Sequence, residues 1–135
     1  DKGFDVLAID FSRAAVNAAR TNLADFRDIV RVADFFEFDF GRPFDVIYER
    51  AFLCALPRKM WNGYAERSAQ MLKPGGVIAG FFFFADSPKG PPFGTSAPEL
   101  EALLGRWFTL TDDQPVTDSI EVFAGRERWM VWRKR

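Results

Sequence analysis

Short hydrophobic runs alternate with segments of helical period along most of the chain, separated by Gly, Pro and acidic residues. Phe4 to Ile9 reads as a strand, and Ser12 stands where it can N-cap a helix with the apolar face Ala15, Val16, Ala19 and Leu23. Ile29 to Ala33 reads as a second strand, ending at Asp34. After the turn Gly41-Arg42-Pro43, Phe44 to Tyr48 reads as a third, ending at Glu49. Pro57 marks a helix start, and Trp61, Tyr64, Ala65, Ser68, Met71 and Leu72 recur behind it at helical spacing. Lys73-Pro74-Gly75-Gly76 stops that helix. Val77 to Phe84 follows as a strand whose unbroken hydrophobicity suits a central place, covered on both faces.

Asp86 to Thr95 is a Pro- and Gly-rich loop, and Ser96 to Glu99 has capping-box spacing ahead of Leu100, Leu103 and Leu104. Trp107 to Leu110 and Arg128 to Trp132 read as late strands. The stretch between them, Asp112 to Gly125, is polar, with a short apolar piece at Ile120 to Phe123. Alternating strands and helices argue for a mostly parallel α/β sheet. No repeat or linker divides residues 1–135, so a single domain is expected.

Composition narrows the chemistry. The chain has 135 residues, 18 basic and 19 acidic, so its charge gives no case for nucleic acid or a membrane surface as partner. It has no histidine and one cysteine, Cys54, which argues against zinc sites, histidine triads and internal disulfides. No signal peptide or apolar run of membrane-spanning length is visible, and a cytoplasmic setting is expected. Phenylalanine is abundant, 16 residues, with Phe81 to Phe84 consecutive and read as core. Cys54 is read as buried packing, and Arg126 to Arg135 as a half-exposed strand with solvated ends.

Asp10, Asp34 and Glu49 each follow directly on a hydrophobic strand. In a parallel sheet those ends share the edge where open α/β sheets bind ligands. A carboxylate after the first strand can accept both hydroxyls of a ribose, and one after the next can accept from an adenine amino group, with Phe35 beside it to stack. The competing reading is structural, since acids after strands also cap the next helix. The spacing suits either a dinucleotide or an S-adenosyl cofactor.

Four segments narrow this further: ADFFEF (Ala33–Phe38), FDVIYERAFLCALP (Phe44–Pro57), MLKPGG (Met71–Gly76) and GPPFGTS (Gly90–Ser96). Through them the chain resembles the thiopurine, thiol and halide methyltransferases, within the class I S-adenosylmethionine-dependent methyltransferases. The resemblance implies a Rossmann-like sheet in the order 3-2-1-4-5-7-6, mostly parallel with the last strand antiparallel. The strands read above map onto the second to seventh. The family's first strand and its glycine loop have no counterpart, because only nine residues precede Asp10 where about 20 are expected. That strand lies mid-sheet, so its loss leaves two interior strands with unpaired backbone groups. A fragment of a complete enzyme is therefore expected, with a missing N-terminal segment or a second chain completing the cofactor site.

By the same resemblance the cofactor is S-adenosyl-L-methionine and the partner a small-molecule methyl acceptor: thiopurine, thiol, thiocyanate, halide, or a selenium or tellurium species. Asp10 would meet the ribose, Asp34 and Phe35 the adenine, and Glu49, Arg50 and Phe52 the methionine moiety and methyl group, with Phe11 a further cofactor contact. Arg50, Pro91, Pro92 and Phe93 would border the acceptor. Methyl transfer to a thiolate needs alignment and exclusion of water, so no catalytic acid, base or metal ligand is assigned. Arg50 can equally be a salt-bridge partner. Two rival functions remain: a degenerate, non-catalytic binding module, and a nicotinamide-binding Rossmann domain. LKPGG and GPPF have no role in hydride transfer and speak against the latter.

Overall fold

A computed structural model describes residues 4–37, 39–86 and 89–135. Phe38, which closes the ADFFEF segment, and Ser87 and Pro88 of the loop after Phe84 lie outside the described residues. The chain divides into two compact units, Asp1–Phe40 and Gly41–Arg135.

The smaller unit holds β1 (Ala8–Asp10), α1 (Arg13–Asn22), a helical turn (Ala24–Ile29) and β2 (Val30–Val32). Helix α1 starts where expected because Ser12 is extended and its Oγ accepts from the Ala15 N–H at 3.2 Å. In its last turn, Arg20 donates from Nε and Nη2 to the Val30 carbonyl at 3.0 and 2.7 Å, tying the helix to β2. Strands β1 and β2 pair in parallel, Ala8 with Val30 and Asp10 with Val32. The strand expected over Phe4 to Ile9 is thus shorter and shifted, and Phe4 and Val6 stay exposed outside the ladder. Of the expected apolar face of α1, only Val16 is buried. A helix face is covered only as far as its sheet extends, and each strand here has three residues.

The larger unit holds β3 (Phe44–Arg50), helical turns Leu53–Ala55 and Arg58–Met60, α2 (Trp61–Met71), β4 (Leu72–Phe83), α3 (Ala97–Leu104), β5 (Phe108–Pro115), a helical turn (Glu121–Phe123) and β6 (Glu127–Lys134). Its sheet runs β3-β4-β6-β5, with β3 and β4 parallel and β6 antiparallel to both neighbours. The pairings in the two sheets agree with the 3-2 and 4-5-7-6 portions of the order implied by the resemblance. Among the described residues, β1 has only β2 as a ladder partner and β3 only β4. Val46 and Tyr48 of β3 are exposed accordingly.

The core of this unit is built from Tyr64, Ser68 and Ala69 of α2, Leu100 and Leu104 of α3, and Leu72, Ile78, Phe82, Phe108, Met130 and Trp132 of the sheet. The Ser96 half of the capping box forms: its Oγ accepts from the Glu99 N–H at 3.3 Å and donates to the Glu99 carboxylate at 3.2 Å. Two boundaries differ from expectation. Lys73 to Gly76 ends the helix but already belongs to β4, because Leu72 pairs with Phe44 before the register shifts. Strand β5 runs on through Asp112, Asp113 and Gln114 to Pro115, since an edge strand is free to be polar on its open side. Among the described residues no helix is long and apolar enough to cross a membrane.

Candidate functional site

In the smaller unit, parallel pairing brings Asp10 and the segment after Val32 to the same end of the two strands. The Ala33 N–H donates to the Asp10 carbonyl at 3.0 Å, which closes the ladder and leaves Asp34 just beyond it. Both acids are exposed. Each is braced by a local backbone donor: Asp10 Oδ1 accepts from Ser12 N–H at 2.8 Å, and Asp34 Oδ1 from Phe36 N–H at 2.9 Å. Such Asx turns fix the carboxylate direction while leaving lone pairs for a ligand. Phe35 is buried and meets Phe36 edge-on, with ring centroids 5.2 Å apart. The exposed ring here is Phe11, 80% accessible.

In the larger unit the site gathers at the ends of β3 and β4. Glu49, the last residue but one of β3, pairs in register with Gly80, and Arg50 with Phe81. A Cβ at Gly80 would sit 1.9 Å from the Glu49 carbonyl oxygen, so only glycine allows this approach of the two strands. Glu49 is 3% exposed; its Oε1 accepts from Leu53 N–H at 2.6 Å and its Oε2 from Phe52 N–H at 3.4 Å. The carboxyl therefore caps the helical turn that carries Leu53 and Cys54. Burial pushes it from the ordinary 4.5 up to about 7; the Leu53 and Phe52 N–H groups oppose the rise and the charge of Glu127 adds to it.

A cavity of about 10 Å³, room for roughly one water, is lined by Glu49, Leu53, Cys54, Trp61, Phe81 to Phe83, Phe93 and Thr95. The Phe81–Phe84 run, expected as core, thus supplies both buried packing (Phe82, Phe83) and a cavity wall. Phe93 is fixed by its N–H, which donates to the Cys54 carbonyl at 2.7 Å. Pro91 and Pro92 are not among the residues lining this cavity. The loop is further held by Arg58, which donates to the Gly94 carbonyl and pairs with Glu99 at 2.5 Å. Burial, and after it Glu49, raises the Cys54 thiol to about 11. It stays protonated at neutral pH and serves as packing, as expected.

Arg50 is engaged on two sides. Its guanidinium carbon lies 4.3 Å from the Phe81 ring centroid, and its Nη2 donates to Glu127 Oε1 at 3.3 Å. The same oxygen accepts from Ser119 Oγ at 2.7 Å. Glu127 is 4% exposed and opens β6, opposite Phe83. It escaped the sequence reading, which looked for acids after strands. Because β6 is antiparallel, its first residue reaches the edge where the parallel strands end; the signal would have been a charge at the start of the last strand.

Comparison with known proteins accords with this arrangement. The chain resembles the N-methyltransferase NodS of Bradyrhizobium japonicum WM9, crystallised with S-adenosyl-L-homocysteine, at a TM-score of 0.75 and 16% identity, covering 93% of this chain and 64% of that one. This likeness bears out the α/β Rossmann-like methyltransferase fold. In sequence it is 43% identical over 61 residues to the thiopurine S-methyltransferase of Vibrio campbellii, covering 44% of this chain and 28% of that protein. It is 29% identical over 104 residues to the probable thiol methyltransferase 2 of Arabidopsis thaliana, covering 73% of this chain and 46% of that protein. The matched segments thus span less than half the length of these relatives. The family model described as thiopurine S-methyltransferase matches residues 1–135, the two sheets and the buried Glu49 among them, and the chain belongs to that family.

Proposed function

We propose that this chain forms part of an S-adenosylmethionine-dependent methyltransferase that alkylates a small thiol or related soft nucleophile. The observation that carries the reading is family membership over residues 1–135 together with acids held at the ends of the parallel strands. Two exposed carboxylates, each oriented by one backbone N–H, suit the hydroxyl and amino groups of an adenosine. Asp10 takes the ribose and Asp34 the adenine amino group. Phe11 offers an open ring face, and Phe35 backs the segment from beneath. Glu49, Arg50 and Phe52 border the methionine moiety, and Arg50 and Phe93, with Pro91 and Pro92, the acceptor.

When bound, the cofactor supplies a methyl group on a positively charged sulfur. Passed to the acceptor sulfur, that methyl would leave a thioether and S-adenosylhomocysteine, with a thiol's proton going to water. The chain's own residues align the partners and exclude water, and Phe81 and Phe93 supply the apolar surface for that task. The open edges of β1 and β3 favour a further strand, from a preceding segment or a second chain, that completes one methyltransferase domain and its cofactor site.

Calorimetric titration with S-adenosylhomocysteine tests this. Little or no binding is expected for residues 1–135, and clear binding for a longer version that adds a strand and glycine loop before Asp1. Asp10→Ala in the longer version weakens binding about tenfold or more, the scale of losing a charge-assisted hydrogen bond. Equal binding by both lengths refutes the need for a further strand; unchanged affinity in Asp10→Ala removes Asp10 from the site.

A further inference from the structure

Arg50 is the one cation that the family reading sets beside the acceptor, and it does not stand alone. Glu127 lies 3.3 Å from its guanidinium, with a side chain 2% exposed against 39% for Arg50. Ser119 fixes the same carboxylate oxygen. Phe81, beneath the guanidinium, is itself held edge-on by Trp129 at 5.2 Å and Tyr48 at 6.5 Å. Glu49 brings a second buried carboxyl to the same strand ends. The cluster therefore sets one guanidinium against two buried carboxyl groups in a wall of aromatic rings.

We propose that Glu127 determines acceptor specificity: by occupying the guanidinium of Arg50 it turns the site away from small anions and toward uncharged, apolar thiols. This rests on the methyltransferase reading above and narrows its acceptor class. Like charge at a partly desolvated site repels an incoming anion more strongly than it would in water. The aromatic surface of Phe81 and Phe93 favours an alkyl or aryl group over a hydrated ion. Among halide, thiocyanate and thiol, the thiol alone can enter uncharged, with an apolar body, and pass its proton to water only as its sulfur takes the methyl group.

The test uses the complete enzyme with two acceptors, an alkanethiol and iodide, the latter followed as methyl iodide. The wild type favours the thiol in kcat/KM. Glu127→Gln keeps the shape and a hydrogen-bond acceptor for Arg50 but removes the charge, and it shifts the kcat/KM ratio toward iodide about tenfold. In an Arg50→Ala background the same substitution moves the ratio much less, because the effect runs through the guanidinium. A wild type that prefers iodide, an unmoved ratio in Glu127→Gln, or an equal shift without Arg50 overturns the proposal. Absence of both S-adenosylhomocysteine binding and transfer to either acceptor defeats instead the methyltransferase reading beneath it.

Discussion

The two units of this chain are built to different standards. In the larger, β4 is paired on both sides and α2 and α3 cover Tyr64, Leu72, Leu100, Leu104 and Phe108 almost completely. In the smaller, two strands of three residues make a sheet with one ladder, and α1 buries only Val16. A two-stranded sheet is marginal in water, whereas a sheet of more strands under helices is stable by itself. Yet two of the three strand-end acids, Asp10 and Asp34, belong to the weaker unit. The unit that carries two of the three acids proposed to meet the cofactor is thus the one with the thinner core.

Hydrogen exchange would break or sharpen this contrast most directly. Amides of Ile78 to Phe82, paired on both sides, should exchange about a thousandfold more slowly than those of β1 and β2, a gap of about 4 kcal/mol. Equal protection in the two regions would overturn the contrast. Denaturant unfolding gives the next largest effect. Leu104→Ala, at a fully buried site, should cost about 3 kcal/mol, while Leu23→Ala, 42% exposed at the C-cap of α1, should stay within about 0.5 kcal/mol.

The third prediction concerns pH. Folded Glu49 holds its proton up to about 7, whereas the unfolded chain releases it near 4.5. Between those values the native state binds more protons, so raising the pH lowers stability through that window and leaves it level above. The loss attributable to Glu49 is about 3 kcal/mol. The titratable groups about it are Arg50, Glu127, Cys54 and Tyr64, and burial raises both Cys54 and Tyr64. Glu49→Gln should flatten that part of the profile and raise the denaturation midpoint at pH 8; an unchanged slope would mean the carboxyl is charged and stabilised when buried.

Much of this was legible beforehand because it is local. The Ser12 cap, the Ser96–Glu99 box and the α2 face follow from spacing within one or two turns, and the acids of β1, β2 and β3 from their place after apolar runs. What escaped depended on distant partners. Asp112 to Gln114 look like loop until β6 supplies the hydrogen bonds that make them an edge strand. Phe35 shows no burial in the local pattern, yet it is buried and meets the Phe36 ring. Glu127 looks like a surface charge until an antiparallel crossing sets it against Arg50.

That crossing also imposes an order in time. Arg50 and Glu127 are separated by 77 positions, and β4 waits for β6 along one whole edge. At ribosomal rates of about 5–20 residues per second, Arg50 exists for roughly 4 to 15 s before its partner is made. During that interval the guanidinium has no carboxylate from β6, and β4, once made through Phe83, offers an apolar, unpaired edge until β6 follows. The last strand is thus the latch of the sheet, and a nascent chain halted before Glu127 presents chaperones with the aromatic run Phe81 to Phe84 still uncovered on that side.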